Sequence, residues 1–395
     1  MEPPNPDGQE PPNPEDREPL YPNPGGVIDP ADLVGRVAEL QRLQEAVSRV
    51  GAHVTGERRM GKTSVLAKLE SALTDAGRIV LRISAETSDI DIFERRLVAS
   101  LRAHRLVADH LPTWEREVGG EARIGIGSNG ISLRGAARRA GAAPVERDLI
   151  DLLDSIGDSR GLVLIIDEIT VLCQALGSAD ALELLRNLRA HRDGRSTFAL
   201  VISGSIGLHH ALSDTSPIND LWPVDIGPLT QDEASELAGR LLLGIGVDPA
   251  AELVSEISDA TSRIPFYIHG VIDRLRQGER PDVELSEIDA IVDRCIRENT
   301  WHTEHYVTRI PDYYGEDAAL ARAVLDDLAV IHPAGRTLDE ISDDLAARSG
   351  SRPERDRLID LLGKLEKDHY LVCEGERDGM SSPLMARIWR IHRRL

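Results

Sequence analysis

Gly56-Glu57-Arg58-Arg59-Met60-Gly61-Lys62-Thr63 places four residues between two glycines and follows the second with Lys-Thr. That spacing marks a loop that wraps nucleotide phosphates. Ala52-His53-Val54-Thr55 reads as a short strand entering the loop, and Ser64-Val65-Leu66-Ala67-Lys68-Leu69 continues from it at helical period. Strand, loop and helix are what the chemistry needs. Successive backbone N–H groups point at phosphate oxygens, and the partial positive charge at the helix N-terminus assists them. Lys62 is expected to reach the β- and γ-phosphates and Thr63 to hold Mg²⁺. Gly56, Glu57, Arg58, Arg59, Met60, Gly61, Lys62, Thr63 and Ser64 therefore form the candidate phosphate cradle.

The same chemistry requires a carboxylate at the C-terminal end of a neighbouring strand, where the metal and the γ-phosphate meet. Gly161-Leu162-Val163-Leu164-Ile165-Ile166 is a continuous aliphatic run, and Asp167-Glu168 follows it directly. Asp167 is expected to bind the metal through water, and Glu168 to orient and deprotonate the attacking water. Phe198-Ala199-Leu200-Val201-Ile202 is a second aliphatic run, ending in Ser203-Gly204-Ser205. The Ser203 hydroxyl is placed to bond the γ-phosphate or the water, although a small-residue turn would look the same.

Arg78 to Ile83 reads as a buried strand, Phe93 to His104 as an amphipathic helix, and Val224-Asp225-Ile226 as a further short strand. Such aliphatic runs suit a parallel sheet covered on both faces. The expected fold class is α/β, a P-loop three-layer αβα parallel sheet over residues 28–228. Residues 122–134, with Ser128-Asn129-Gly130 at their centre, read as a hairpin inserted into that core. After Pro228 the strands stop. Helical periodicity over 231–243, 250–260, 265–276 and 285–299 predicts a helical lid domain at 229–312. Residues 313–395 then show helix, helix and strand in the order of a winged-helix domain, with 353–368 as its recognition helix.

Residues 1–27 repeat Pro-Pro-Asn-Pro and Pro-Asn-Pro phrases with little to bury, and are expected to form a disordered Pro-rich tail. The apolar fraction of 41% fits a globular protein. Cys173, Cys295 and Cys373 are odd in number and widely spaced, which argues against a disulfide framework or thiolate metal site. No apolar run has the length of a membrane span and no signal peptide is evident, so a cytoplasmic location with no membrane partner is expected. A net charge of −21 opposes general attraction to nucleic acid. His302 and His305 have helical metal-ligand spacing but lack a third ligand, and His209-His210 shares that weakness.

Together with Leu33-Val34-Gly35-Arg36-Val37-Ala38-Glu39-Leu40, Gly227-Pro228-Leu229-Thr230 and Ile264-Pro265-Phe266, these motifs resemble those of archaeal-type ATPases of the AAA+/STAND P-loop superfamily with a C-terminal winged helix. The resemblance covers about residues 30–395. It implies ATP and Mg²⁺ as cofactors, Gly35 and Arg36 near the adenine, and Pro265 contributing from the lid. Two departures stand out. Arg263 occupies the place where glycine usually precedes the lid proline, and no Arg lies between Ser203 and Thr230, where such proteins often carry one. An arginine finger contributes about 10³ to 10⁵ in rate, so slow hydrolysis is expected unless Arg189, Arg192, Arg195 or a partner supplies the charge. The expected function is a slow Mg-dependent ATPase acting as a nucleotide-gated switch, with an unknown protein partner or self-association. The alternatives are a DNA-binding regulator or origin-type loader acting through residues 316–395, and a nucleotide-holding scaffold that never turns over. The mixed charge of 353–368 argues against DNA.

Overall fold

The computed structural model describes residues 18–87, 90–103, 122–127, 130–135, 145–148, 161–193, 198–204, 208–212, 214–278 and 283–395. The chain divides into two compact units. One contains Val27–Gly227 and Glu304–Leu395, the other the residues up to Gly26 and Pro228–Thr303.

In the larger unit, α1 (Val37–Val47) leads into β1 (Gly51–Thr55), the phosphate-loop residues and α2 (Lys62–Asp75). Next come β2 (Ile79–Ser84), α3 (Ile90–Ala103) and three antiparallel strands, β3 (Ala122–Gly127), β4 (Gly130–Gly135) and β5 (Val145–Asp148). The inserted hairpin therefore carries a third strand, whose Val-Glu-Arg-Asp sequence has no apolar alternation to announce it. Then follow β6 (Leu162–Asp167), α4 (Ile169–Leu176), α5 (Ser178–Asp193), β7 (Phe198–Ser203) and β8 (Trp222–Asp225).

The main sheet has the order β2-β6-β7-β1-β8, and its pairs are all parallel. Every residue of β6 and β7 is buried, as continuous aliphatic runs require when helices cover both faces. Each such Leu, Ile or Val contributes about 1.5–3 kcal/mol on burial. Because β7 stands between β1 and β6, the ends of three adjacent strands converge. They carry the phosphate loop, Ser203 and Asp167. β8 starts two residues earlier than its sequence suggests because it includes Pro223, which the sheet accepts on an edge strand.

The smaller unit contains α6 (Gln231–Gly244), α7 (Ala251–Ala260), α8 (Pro265–Gln277) and α9 (Leu285–Arg297), matching the helical periodicity closely. Thr230 and Glu233 form a reciprocal capping box that fixes the start of α6. Residues 1–17 of the expected tail lie outside the described residues, whereas 18–26 pack onto α6 and α8. The Leu20 N–H donates to the Arg240 carbonyl at 2.9 Å, and the Asn23 N–H donates to His269 Nδ1 at 3.1 Å. Gly244 permits this approach, since a Cβ there would stand 1.8 Å from the Leu20 carbonyl oxygen.

Ser262 and Arg263 both adopt left-handed φ, of 50° and 58°. This explains why glycine suits position 263. An L-residue in that conformation costs about 1–2 kcal/mol, offset in part by the extra freedom, about 0.4–1 kcal/mol, that glycine brings to the unfolded chain. Arg263→Gly is expected to raise the midpoint of urea unfolding, while Arg263→Ala is not. A lower midpoint for the glycine variant would show that the arginine side chain contributes more than the backbone strain costs.

The rest of the larger unit is α10 (His305–Thr308), α11 (Ile310–Tyr314), α12 (Ala318–Ile331), α13 (Leu338–Ser349), α14 (Arg355–Lys367), an antiparallel ribbon of β9 (Leu371–Glu374) and β10 (Arg377–Met380), and α15 (Pro383–Arg393). The helix-helix-strand order expected of 313–395 is thus preceded by α12 and closed by α15. Trp389 is fully buried, with its Nε1 donating to Asp326 at 2.8 Å, and Arg393 grips the same carboxylate through two nitrogens. Among the described residues, no helix is long and apolar enough to cross a membrane.

Candidate functional site

The backbone turns into α2 through Gly56 (φ 135°), Arg59 (φ 76°) and Gly61 (φ 89°). Gly56 meets a second constraint, because a Cβ there would lie 2.4 Å from the Ile226 carbonyl oxygen. Lys62 is buried at the first turn of α2, and its Nζ donates to the carbonyl oxygens of Gly56 (2.7 Å) and Glu57 (2.9 Å). Burial lowers its pKa, against the opposing pull of Glu168, Asp167 and Glu57.

Thr63 Oγ1 donates to Asp167 Oδ2 at 2.8 Å. The Ser203 hydroxyl donates to Asp167 Oδ1, and the Glu168 N–H approaches Ser203 Oγ at 3.4 Å. Thr63, Asp167, Glu168 and Ser203 thus lie together, although they come from a helix start and two strand ends. The Ser203 hydroxyl is thus directed at the Asp167 carboxylate. A threonine hydroxyl beside a carboxylate supplies the oxygen donors that Mg²⁺ takes, leaving its other positions to water and phosphate. The donor set fits that ion. Glu168 stands at the N-cap of α4 with φ 58°, a conformation that turns the chain sharply after the buried strand.

Gly35 and Arg36 are also left-handed, with φ of 69° and 67°. Arg36 is 2% exposed, and its guanidinium donates to Glu39 Oε1 (3.0 Å), the Met60 carbonyl (2.9 Å) and the Gly227 carbonyl (2.7 Å). It fastens the lead into α1, the phosphate loop and the segment after β8 in one clasp. Read locally, Gly35-Arg36 is an ordinary helix lead-in, and nothing nearby in the sequence reveals acceptors 24 and 191 residues away. Pro265 lies in the smaller unit, at the first position of α8.

The C-terminal part of the larger unit also reaches the loop. Glu57 is 5% exposed. Burial raises its pKa, while the Tyr306 hydroxyl and the charges of Arg309, Lys62 and Arg59 act to lower it. Burial likewise lowers the pKa of His369, whose electrostatic surroundings include Asp225 and Lys62. Arg309 lies over the rings of Tyr306 and Tyr370 at 5.1 and 4.6 Å, and Tyr370 Oη donates to the Tyr306 carbonyl at 2.6 Å. Sequence reasoning missed this cluster, since its members have no shared local pattern.

Arg189 is engaged away from the phosphate loop. It donates to the Ser216 carbonyl (2.7 Å) and Asn219 Oδ1 (3.2 Å) and pairs with Asp220 at 3.6 Å. The side chains of Arg192 and Arg195, like Ser205, lie outside the described residues. His305 opens α10, but His302 precedes it with φ 51°, so the two histidines do not share a helical face.

This strand order, glycine loop and paired acidic strand end make up a P-loop αβα core. Residues 32–202 match the model of the AAA ATPase domain. No curated protein matches the sequence. Among solved structures, the chain is similar to a Walker-type ATPase of Pyrococcus abyssi at 19% identity and TM-score 0.62, over 91% of this chain and 97% of that one. This shows a shared fold. Lower similarities include the RuvB Holliday junction branch migration motor of Thermotoga maritima (14% identity, TM-score 0.40, 88% and 92% covered). The Orc1 protein of Aeropyrum pernix, solved in complex with DNA, matches at 16% identity and TM-score 0.39, with 94% and 97% covered.

Proposed function

We propose that the protein is a slow, Mg-dependent ATPase that works as a nucleotide-gated switch, its C-terminal segment responding to the state of the phosphate loop. What supports this reading is that Glu57, a buried loop residue, has Tyr306 and Arg309 of that segment among the groups acting on its carboxyl, and that Lys62 acts on His369. Groups that sense the loop's charge from a separate part of the chain are what a switch requires.

In this reading the backbone N–H groups of the loop hold the phosphates, and Lys62 exchanges the carbonyls of Gly56 and Glu57 for phosphate oxygens. Thr63 and Asp167 would hold Mg²⁺, which when bound would supply positive charge to the phosphoryl oxygens. Ser203 positions the Asp167 carboxylate, and Glu168 orients the attacking water and takes its proton. The commitment of Arg189 to Ser216, Asn219 and Asp220 supports slow turnover, since that cation is held elsewhere.

A DNA-binding role gains no support from α14 and its neighbours. Arg355 pairs with Asp339 at 2.7 Å, Arg357 with Asp317 at 2.5 Å, and Arg377 with Glu340 at 2.9 Å. Cations already facing carboxylates are poorly placed to displace counterions from phosphates, so a protein partner or self-association is the better fit. The proposal is tested by measuring ATP binding and phosphate release for wild type and Lys62→Ala, each with and without DNA. Loss of both activities in the variant, with no response to DNA, is expected. Tight ATP binding without phosphate release by the wild type would favour a nucleotide-holding scaffold, and stimulation by DNA would favour the regulator.

A further inference from the structure

Beyond the nucleotide site, the segment after β7 and the end of α14 bring together three metal-ligating side chains. His209 and His210 lie in a short 3₁₀ turn, and Asp368 caps the C-terminus of α14. His210 Nε2 is 2.6 Å from Asp368 Oδ2, and His209 Nε2 is 3.5 Å from Asp368 Oδ1. A hydrogen bond accounts for the first contact only. His209 Nε2 and Asp368 Oδ1 are both buried atoms with no hydrogen-bond partner, and they face each other beyond good hydrogen-bonding distance.

One ligand atom from each of the three residues lies within 4.8 Å of the others, the only such group among the described residues. Zinc takes nitrogen and oxygen ligands at about 2.0–2.2 Å, which sets neighbouring ligand atoms about 3–4 Å apart. Two imidazoles and one carboxylate suit zinc and its transition-metal neighbours, not the oxygen-seeking Mg²⁺. The surroundings also resemble those of a metal site. Tyr314 Oη donates to Asp368 Oδ2 at 2.6 Å and orients the carboxylate, while the Tyr313 ring lies 4.9 Å from that of His210.

We infer that His209, His210 and Asp368 form a binding site for a divalent transition ion of the zinc type. The ion satisfies both orphaned atoms, and its binding releases to solvent the proton now shared by His210 Nε2 and Asp368 Oδ2. It ties the segment that follows Ser203 to the helix end that precedes His369.

The test uses the full chain without nucleotide, so its outcome does not depend on the ATPase reading. Titration with ZnCl₂, followed by calorimetry and thermal melting, is expected to show one equivalent bound per chain and a raised melting temperature. Co²⁺ in its place is expected to give the visible absorption of a tetrahedral nitrogen-oxygen site. His209→Gln is the main variant, because His209 Nε2 makes no hydrogen bond and its loss leaves the His210 to Asp368 contact intact. It should melt like the metal-free wild type and lose the bound equivalent. Tyr314→Phe, which removes an outer partner of Asp368, is expected to weaken binding about 10- to 100-fold. Equal zinc uptake by wild type and His209→Gln would overturn the assignment, as would a wild type that takes up none.

Discussion

Glu168→Gln is expected to keep ATP affinity unchanged while cutting phosphate release by about 10² to 10⁴, the usual contribution of a general base. The amide keeps the size of the side chain and can still orient a water, but it cannot accept the proton. The backbone at Glu168 is fixed independently of the carboxylate, by its N-cap position on α4 and the approach of its N–H to Ser203 Oγ. The substitution should therefore leave Asp167, Thr63 and Ser203 in place. Calorimetry with ATP and a phosphate-release assay on the same preparation separate binding from chemistry. Unchanged phosphate release would remove Glu168 from the role of base. Asp167→Asn offers a contrast, because it weakens the acceptor shared by Thr63 and Ser203 and should impair metal-dependent binding as well as turnover.

Arg36→Met has the second large expected effect, on stability and on the shape of the phosphate loop together. The methionine fills part of the volume but donates nothing, so the buried Met60 carbonyl and the half-buried Gly227 carbonyl lose their donor and Glu39 loses its cation. Hydrogen bonds to a charged group contribute about 1.5–3 kcal/mol each and do not add fully. A loss of about 3–5 kcal/mol is expected, the range seen when one partner of a buried charged network is removed. That is a large share of a typical stability of about 5–15 kcal/mol. Arg36→Lys should fall between the two, since one ammonium cannot span three acceptors held by a planar fork. Urea unfolding measures the stability, and ATP affinity at low denaturant reports the loop. Wild-type values for Arg36→Met would show that the loop holds its shape without the clasp.

These expectations differ in how far the sequence supports them. The parallel sheet was legible because β2, β6 and β7 are short aliphatic runs that only a doubly covered strand can bury. The positions of Lys62, Thr63, Asp167 and Glu168 follow from loop spacing and strand ends, both local signals. α12 was equally readable from the spacing of Ala321, Val324, Leu325 and Leu328, all buried, although the expected order began with the following helix. What could not be read is the set of contacts made across long stretches of chain. Arg36 finds Gly227, Glu57 lies beside Tyr306 and Arg309, and His210 finds Asp368 only once the sheet and the C-terminal helices have assembled. No periodicity in any one segment encodes such a meeting. Ser203 is an intermediate case. Its position at the end of β7 was predictable, but its donation to Asp167 depends on β7 lying between the two other site strands.

If the protein is a nucleotide-gated switch, nucleotide at the phosphate loop changes the C-terminal segment. Backbone hydrogen exchange over residues 304–314 and 368–371, with and without Mg·ATP, measures this directly, with Lys62→Ala as the nucleotide-blind control. Mg·ATP is expected to alter protection in both stretches of the wild type and in neither stretch of the variant. Identical exchange in a wild type shown by calorimetry to have bound ATP would contradict it.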